Sequence, residues 1–210
     1  MEMDNYDKMS EAASRRFLTL DQEDMLRRVP LEHTENCMYV TLLNDRYCVD
    51  RKTGYVYRLE KNTEMTETLP ENAVRANMEE TLSIFDMLDR SPHPPKANGN
   101  WVSMTQLASC SGAGPVSFDM FQSRLKPFEG HTEELARACR QCGGTERKGG
   151  DVSFEIPVFD QFPMWFQYWD ADDEFSASIS ILWDETTPLH LHYETVWYIM
   201  GLFLDKLRGR

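Results

Sequence analysis

The densest group of potential ligands in the chain is His190-Leu191-His192-Tyr193-Glu194, with Asp184-Glu185 just upstream. Neutral imidazoles and carboxylates suit zinc or a non-haem metal ion. Pro188 favours a helix start here. On a helix His190 and Glu194 share one face while His192 diverges, and only an extended segment would bring both imidazoles to one side. The pattern fits either a metal site of Asp184, His190, His192 and Glu194 or a helix start that carries polar residues. Cys139 and Cys142 form the one C-x-x-C, in ARACRQCGG. A redox dithiol or half of a zinc or iron–sulfur site would use this spacing. Here, however, the pair falls at the end of a predicted helix, where the dipole opposes a thiolate. Leu135, Cys139 and Cys142 also follow an apolar i, i+4, i+7 stripe, which fits core cysteines. Arg137 and Arg140 would favour a thiolate.

Trp165, Tyr168, Trp169 and Trp183 crowd one predicted hairpin, with Trp101 and Trp197 outside it. Such density fills a core or lines a concave ligand site. Asp170, Asp172 and Glu174 alternate as calcium ligands do, but the run lacks the mid-loop glycine and the length of an EF-hand loop. A solvated hairpin tip accounts for it better. Ser109, Ser111, Gly112 and Gly114 in SCSGAGP only loosely resemble a phosphate loop. The chain has no GxxxxGK[ST], no GxGxxG after a strand and no GxSxG, which disfavours nucleotide and α/β-hydrolase chemistry.

The elements that would position these groups follow from periodicity. Residues 10–29 read as helix with one interruption, with Thr19 and Gln22 resembling a capping box and Pro30 ending the run. CMYVTLLNDRYCVDRKTGYVYRL, with turns at Asn44-Asp45 and Lys52-Thr53-Gly54, describes a three-stranded antiparallel meander over 37–59. Thr68 and Pro70 open a predicted helix whose inner face is Val74, Met78, Leu82, Phe85 and Leu88. SPHPPKANGN at 91–100 ends it and is the candidate hinge. A short strand at Trp101 precedes helices predicted over 117–128, with Ser117 as cap and Phe118 facing inward, and over 132–142, capped by Thr132. Val152, Phe154, Ile156 and Val158 alternate as a half-buried strand. PMWFQYW and SASISILW form a hairpin, and Thr187-Pro188 starts a last helix. Strands come in runs rather than alternating with helices, so the expected class is α+β with antiparallel sheet, in one domain spanning 1–210.

At 210 residues, with 41% hydrophobic and 11% aromatic residues, the chain can fill a core. The net charge of −13 argues against a general nucleic-acid binder. Charge divides as −7 over 1–90, +2 over 91–150 and −8 over 151–210. Arg137, Arg140, Arg147 and Lys148 are therefore expected to pair internally rather than build an anion site. No apolar run approaches the ~18 residues that span a bilayer. The acidic N-terminus lacks the features of a secretory leader, and five scattered cysteines are no disulfide framework. The expectation is a soluble, cytoplasmic protein with no membrane or nucleic-acid partner.

Several segments together resemble the bacterial and archaeal family called domain of unknown function 3786. They are RYCVDRKTGYVYRL, GNWVSMTQL, SFDMFQSRLKPF with LARACRQCGG, and above all FPMWFQYWDADDEFSASISILWDETTPLHLHYETVWYIMGLFLDKL. The resemblance covers about 35–207. It implies a single α+β domain and brings no assigned reaction or catalytic residue. Some relatives look to be fused to a cysteine-rich iron–sulfur module in anaerobes that run corrinoid or one-carbon chemistry; this chain lacks the ligands of such a module. The resemblance thus implies at most an accessory role beside such a partner. The expected function is binding of a small molecule or partner protein, with no cofactor of its own. The pocket would combine the aromatic hairpin (Trp165, Tyr168, Trp169, Trp183), Trp101 and the start of the last helix. The alternative is a metal-dependent enzyme using Asp184, His190, His192 and Glu194, with Cys139 and Cys142 as further ligands.

Overall fold

The structure, a computed structural model, describes residues 5–61, 63–107 and 119–209. Among these, six helices and two antiparallel sheets form an α+β fold. The chain opens with α1 (Asn5–Phe17) and α2 (Gln22–Arg28). The interruption falls at residues 18–21, but the second helix is capped by Asp21, whose carboxylate accepts from the Asp24 amide at 2.9 Å. Thr19 instead donates its hydroxyl back to the Arg16 carbonyl at 2.7 Å. An aspartate one residue before the helix outcompetes the expected Thr19 cap because its carboxylate also meets the positive end of the helix dipole.

The meander is present as β1 (Cys37–Leu42), β2 (Asp45–Asp50) and β3 (Val56–Leu59), and β4 (Val74–Arg75) adds a fourth strand in the order β1-β2-β3-β4. The first turn is Leu43-Asn44, both at positive φ (50° and 64°), as the twist of a two-residue hairpin requires. The expected helix start at Thr68-Pro70 is overturned. Val74 lies in β4 with 56% of its surface exposed, and α3 (Met78–Arg90) begins only after Asn77. Asn77 accepts from the Glu80 amide, and Glu80 accepts from the Asn77 amide, so a reciprocal capping box fixes the start. That box satisfies two backbone donors, whereas Pro70 satisfies none.

The second sheet has the order β5-β9-β8-β7-β6, from β5 (Trp101–Ser103), β6 (Thr145–Glu146), β7 (Val152–Phe159), β8 (Phe162–Trp169) and β9 (Ser178–Asp184). Between β5 and β6 lie α4 (Asp119–Leu125), a 3-10 turn at Lys126–Phe128 and α5 (Thr132–Gln141). Ser117 and Phe118, expected in the first of these helices, lie outside the described residues, as do Cys110 and the loop from Ser109 to Gly114. Thr132 is the first helical residue and His131 the residue before it. Pro188 opens only a 3-10 turn, Thr187–Leu189; the last helix, α6 (Tyr193–Leu207), starts after His192.

One cluster of buried apolar side chains draws on both sheets and all six helices. Phe166 on β8 meets Phe203 on α6 edge-on at 5.2 Å, and Phe17 on α1 stacks on Phe85 of α3 at 4.8 Å. The sheets abut where the Leu43 amide donates to the Val158 carbonyl at 2.9 Å. Two of the four basic side chains of the middle segment pair with carboxylates, Arg147 with Glu155 at 2.5 Å and Arg140 with Glu146 at 3.7 Å. No helix among the described residues is long and apolar enough to cross a membrane.

Candidate functional site

Residues 91–100, the candidate hinge that ends α3, are held by hydrogen bonds at both ends. Ser91 is buried and its amide closes α3 on the Met87 carbonyl. Lys96 bridges to Gln161, and the Ala97 amide donates to the Gln161 carbonyl at 3.3 Å. Asp184, fully buried at the end of β9, accepts from the Asn98 and Gly99 amides at 2.9 and 2.8 Å and from the Thr186 amide and hydroxyl at 3.0 and 2.6 Å. Both oxygens are saturated by donors that hold a loop, which leaves Asp184 a positioning group. Glu185 accepts from the Asn98 and Asn100 side chains, and these bonds lower its pKa.

Held this way, the loop walls a cavity of about 810 Å³. The rest of its lining comes from Val29 to Leu31, Met87, Val40 and Thr41 of β1, and Phe159 to Gln161 of the β7–β8 turn. The lining is mostly apolar, with Pro94 and Pro95 on the loop, and His93, Lys96, Asp160 and Gln161 supply a few polar groups. That is the composition of a small-molecule site.

The expected site residues do not converge. Alternation along β8 turns Tyr168 inward and Trp165 and Trp169 outward. Tyr168 and Trp183 are core residues, 1% and 0% exposed. Trp101 and Trp165 meet edge-on at 5.8 Å on the opposite face of the sheet, where Trp165 donates its indole N–H to Ser153 at 2.9 Å. His190 and His192 separate, because His190 keeps a helical-region backbone (φ −114°, ψ −31°) and the segment is not extended through both residues. His190 is fully buried, its Nδ1 3.0 Å from the Ser91 hydroxyl. His192 is largely exposed, with Nδ1 2.5 Å from Asp86 and Nε2 2.7 Å from an Arg90 guanidinium nitrogen. A guanidinium only donates, so Nε2 is the acceptor and Nδ1–H faces Asp86. The lone pair a general base would use is thereby occupied. Glu194 and His192 instead border a separate groove of about 580 Å³ between α1, α3 and α6. No group of three or more His, Cys, Asp or Glu side chains that could hold a metal ion occurs among the described residues.

Cys139 and Cys142 are buried, and burial pushes both thiols up, away from the thiolate. Iodoacetamide followed by peptide mapping should leave both unlabelled in the native protein and label both in guanidinium. Rapid native alkylation of either would sink the core reading.

His190 carries a second expectation. Burial, with a smaller contribution from the charge of His93 and against the opposing field of Asp184, lowers its pKa to about 4. The unfolded imidazole takes up a proton near 6.5, the folded one only near 4, so the unfolded state binds the extra proton between them. Stability contributed by keeping His190 neutral is therefore present above pH 6.5 and lost as pH falls toward 4. The melting temperature should fall less steeply across that window in His190→Gln than in the native protein; parallel curves would contradict the assignment.

A family model described as domain of unknown function (DUF3786) matches residues 21–206. The chain belongs to that family. No curated protein and no solved structure matches this DUF3786 chain. What points to the site is therefore its geometry. The residues that sequence reasoning missed, Val40, Thr41, Met87, Phe159 and Gln161, meet around the loop of the DUF3786 chain read as a hinge. The available signal was that ten-residue loop itself, since a tied-down irregular segment on a rigid scaffold is a common place for binding groups.

Proposed function

We propose that this chain is a single-domain binding module whose ligand, a small and largely apolar molecule, occupies the cavity between the 91–100 loop, β1 and the β7–β8 turn. The observation that carries this reading is the cavity's size and lining, about 810 Å³ walled by aliphatic, proline and phenylalanine side chains. Apolar burial supplies the affinity, about 25 cal/mol per Å² covered. Lys96 favours a ligand with an anionic or carbonyl-bearing end. An accessory role, in which the bound molecule or the protein is handed to a partner enzyme of corrinoid or iron–sulfur metabolism, is the extension that the family resemblance suggests.

The probe 1-anilinonaphthalene-8-sulfonate is apolar, anionic and small enough for the cavity. It should bind the native protein saturably, with one site and an affinity in the range of tens of micromolar. Thr41→Trp, which places an indole in the cavity from a half-buried position on β1, should weaken binding at least tenfold while leaving the circular dichroism spectrum unchanged. Equal affinity in the two proteins would remove the cavity from the reading.

A further inference from the structure

His190 is the one buried imidazole without a full set of partners. It is 0% exposed, its Nδ1 lies 3.0 Å from the Ser91 hydroxyl, and its Nε2 has no hydrogen-bond partner. A buried polar atom left unsatisfied is costly and calls for an explanation. Against His190 stands His93 of the cavity-lining loop, ring centroids 5.2 Å apart and planes at 76°. His93 is exposed, and its Nδ1 lies 3.0 Å from the Pro94 carbonyl. A carbonyl only accepts, so His93 Nδ1 carries the proton and its Nε2 bears the free lone pair. Ser91 accepts from or donates to His190 equally well, so the same tautomer is open there. Two neighbouring imidazoles thus each have Nδ1 engaged by an oxygen and Nε2 unused. That is the arrangement in which metal-ligating histidines are held.

We propose that His93 and His190 bind a borderline divalent transition-metal ion through their Nε2 atoms, with water completing its coordination. The spacing agrees. An imidazole nitrogen about 2.0–2.1 Å from zinc puts the ring centroid about 3.2 Å away, and two such rings at a tetrahedral angle lie about 5.2 Å apart. The lowered pKa of His190 keeps it unprotonated, as a ligand must be. Imidazole ligands suit Zn²⁺, Cu²⁺ and Ni²⁺. Asp184, whose oxygens are saturated, contributes its field and no lone pair. This site differs from the His190, His192 and Glu194 cluster of the sequence, and it does not rest on the apolar ligand of the cavity.

The test is calorimetric titration of untagged, full-length protein with Zn²⁺, paired with Cu²⁺ electron paramagnetic resonance to count nitrogen ligands. The expected result is one Zn²⁺ per chain at micromolar affinity, with two equatorial nitrogens on Cu²⁺. His93→Ala, at an exposed position, should fold normally, weaken Zn²⁺ at least tenfold and remove one nitrogen from the Cu²⁺ spectrum. His192→Ala should change neither. No stoichiometric Zn²⁺, an affinity indifferent to His93→Ala, or one lost with His192→Ala overturns the proposal and leaves the His93–His190 contact as ring packing.

Discussion

Asp184→Ala should destabilise the protein by about 3–5 kcal/mol, because a buried carboxylate serving four donors is removed and nothing replaces it. The Asn98 and Gly99 amides and the Thr186 amide and hydroxyl all point at Asp184 at 2.6–3.0 Å. In the alanine variant all of those donors lose their acceptor at once. For a chain of this length the loss corresponds to a fall in melting temperature of roughly 10 °C or more. Asp184→Asn keeps one acceptor oxygen but turns an NH₂ toward donors, so it should fall between the native protein and the alanine variant. Glu185→Ala next door, at a solvent-exposed carboxylate, should leave the denaturation midpoint almost unchanged. Guanidinium unfolding followed by tryptophan fluorescence reads all three. An Asp184→Ala midpoint equal to that of the native protein would mean that the carboxylate does not hold the loop. The same variant tests function, because the 91–100 loop it anchors is a wall of the cavity.

Gly54→Ala is the second large effect. Gly54 ends the β2–β3 turn at φ 71°, a left-handed conformation that costs an L-residue about 1–2 kcal/mol. A Cβ there would also stand 2.5 Å from the Ser14 carbonyl oxygen on α1, which is backbone and cannot rotate away. Asp50 fixes the turn rigidly, its carboxylate accepting from the Lys52 and Thr53 amides at 2.8 and 3.0 Å. The strain therefore has to be relieved by moving α1. A loss of about 2–4 kcal/mol is expected, with faster amide hydrogen exchange concentrated in α1. Gly99→Ala is the contrast, since no atom lies within 4 Å of its Cβ position and only the conformational penalty of its φ of 89° applies. Equal losses at the two glycines would contradict the packing of the turn against α1.

The sequence announced elements wherever one strong local signal stood alone. The meander was legible because Val, Tyr and Thr runs are separated by Asn44-Asp45 and Lys52-Thr53-Gly54, and the long β7–β8–β9 ladder because Val152, Phe154, Ile156 and Val158 alternate so cleanly. Helix starts were read less well where two caps competed. Asp21 displaced Thr19, and Asn77 with Glu80 displaced Thr68 and Pro70, because satisfied backbone donors outweigh a permissive residue. The candidate site was the least legible. Its walls come from residues about 29–41, 87–98 and 159–161, which no local spacing relates to one another. The ligand-like run at His190 to Glu194 misled for the opposite reason. Closeness in sequence suggested one site, but the 3-10 turn at Thr187–Leu189 buries His190 beside Ser91 and hands His192 to Asp86 and Arg90. Likewise the aromatic hairpin is divided by strand alternation, Tyr168 and Trp183 entering the core while Trp165 and Trp169 face away.

The central claim is that ligand binding occurs in the cavity beside the 91–100 loop. It is tested most directly by titrating isotopically labelled protein with 1-anilinonaphthalene-8-sulfonate and mapping the backbone and indole N–H shifts by NMR. The account predicts shifts concentrated at Val40, Thr41, Ala97 and Gln161, with the indoles of Trp101, Trp165 and Trp169 and the amides of Tyr193 and Tyr198 unmoved. Shifts concentrated on those indoles, or along the groove at Tyr193 and Tyr198, would contradict it and move the binding site to the outer face of the second sheet or to the helical groove.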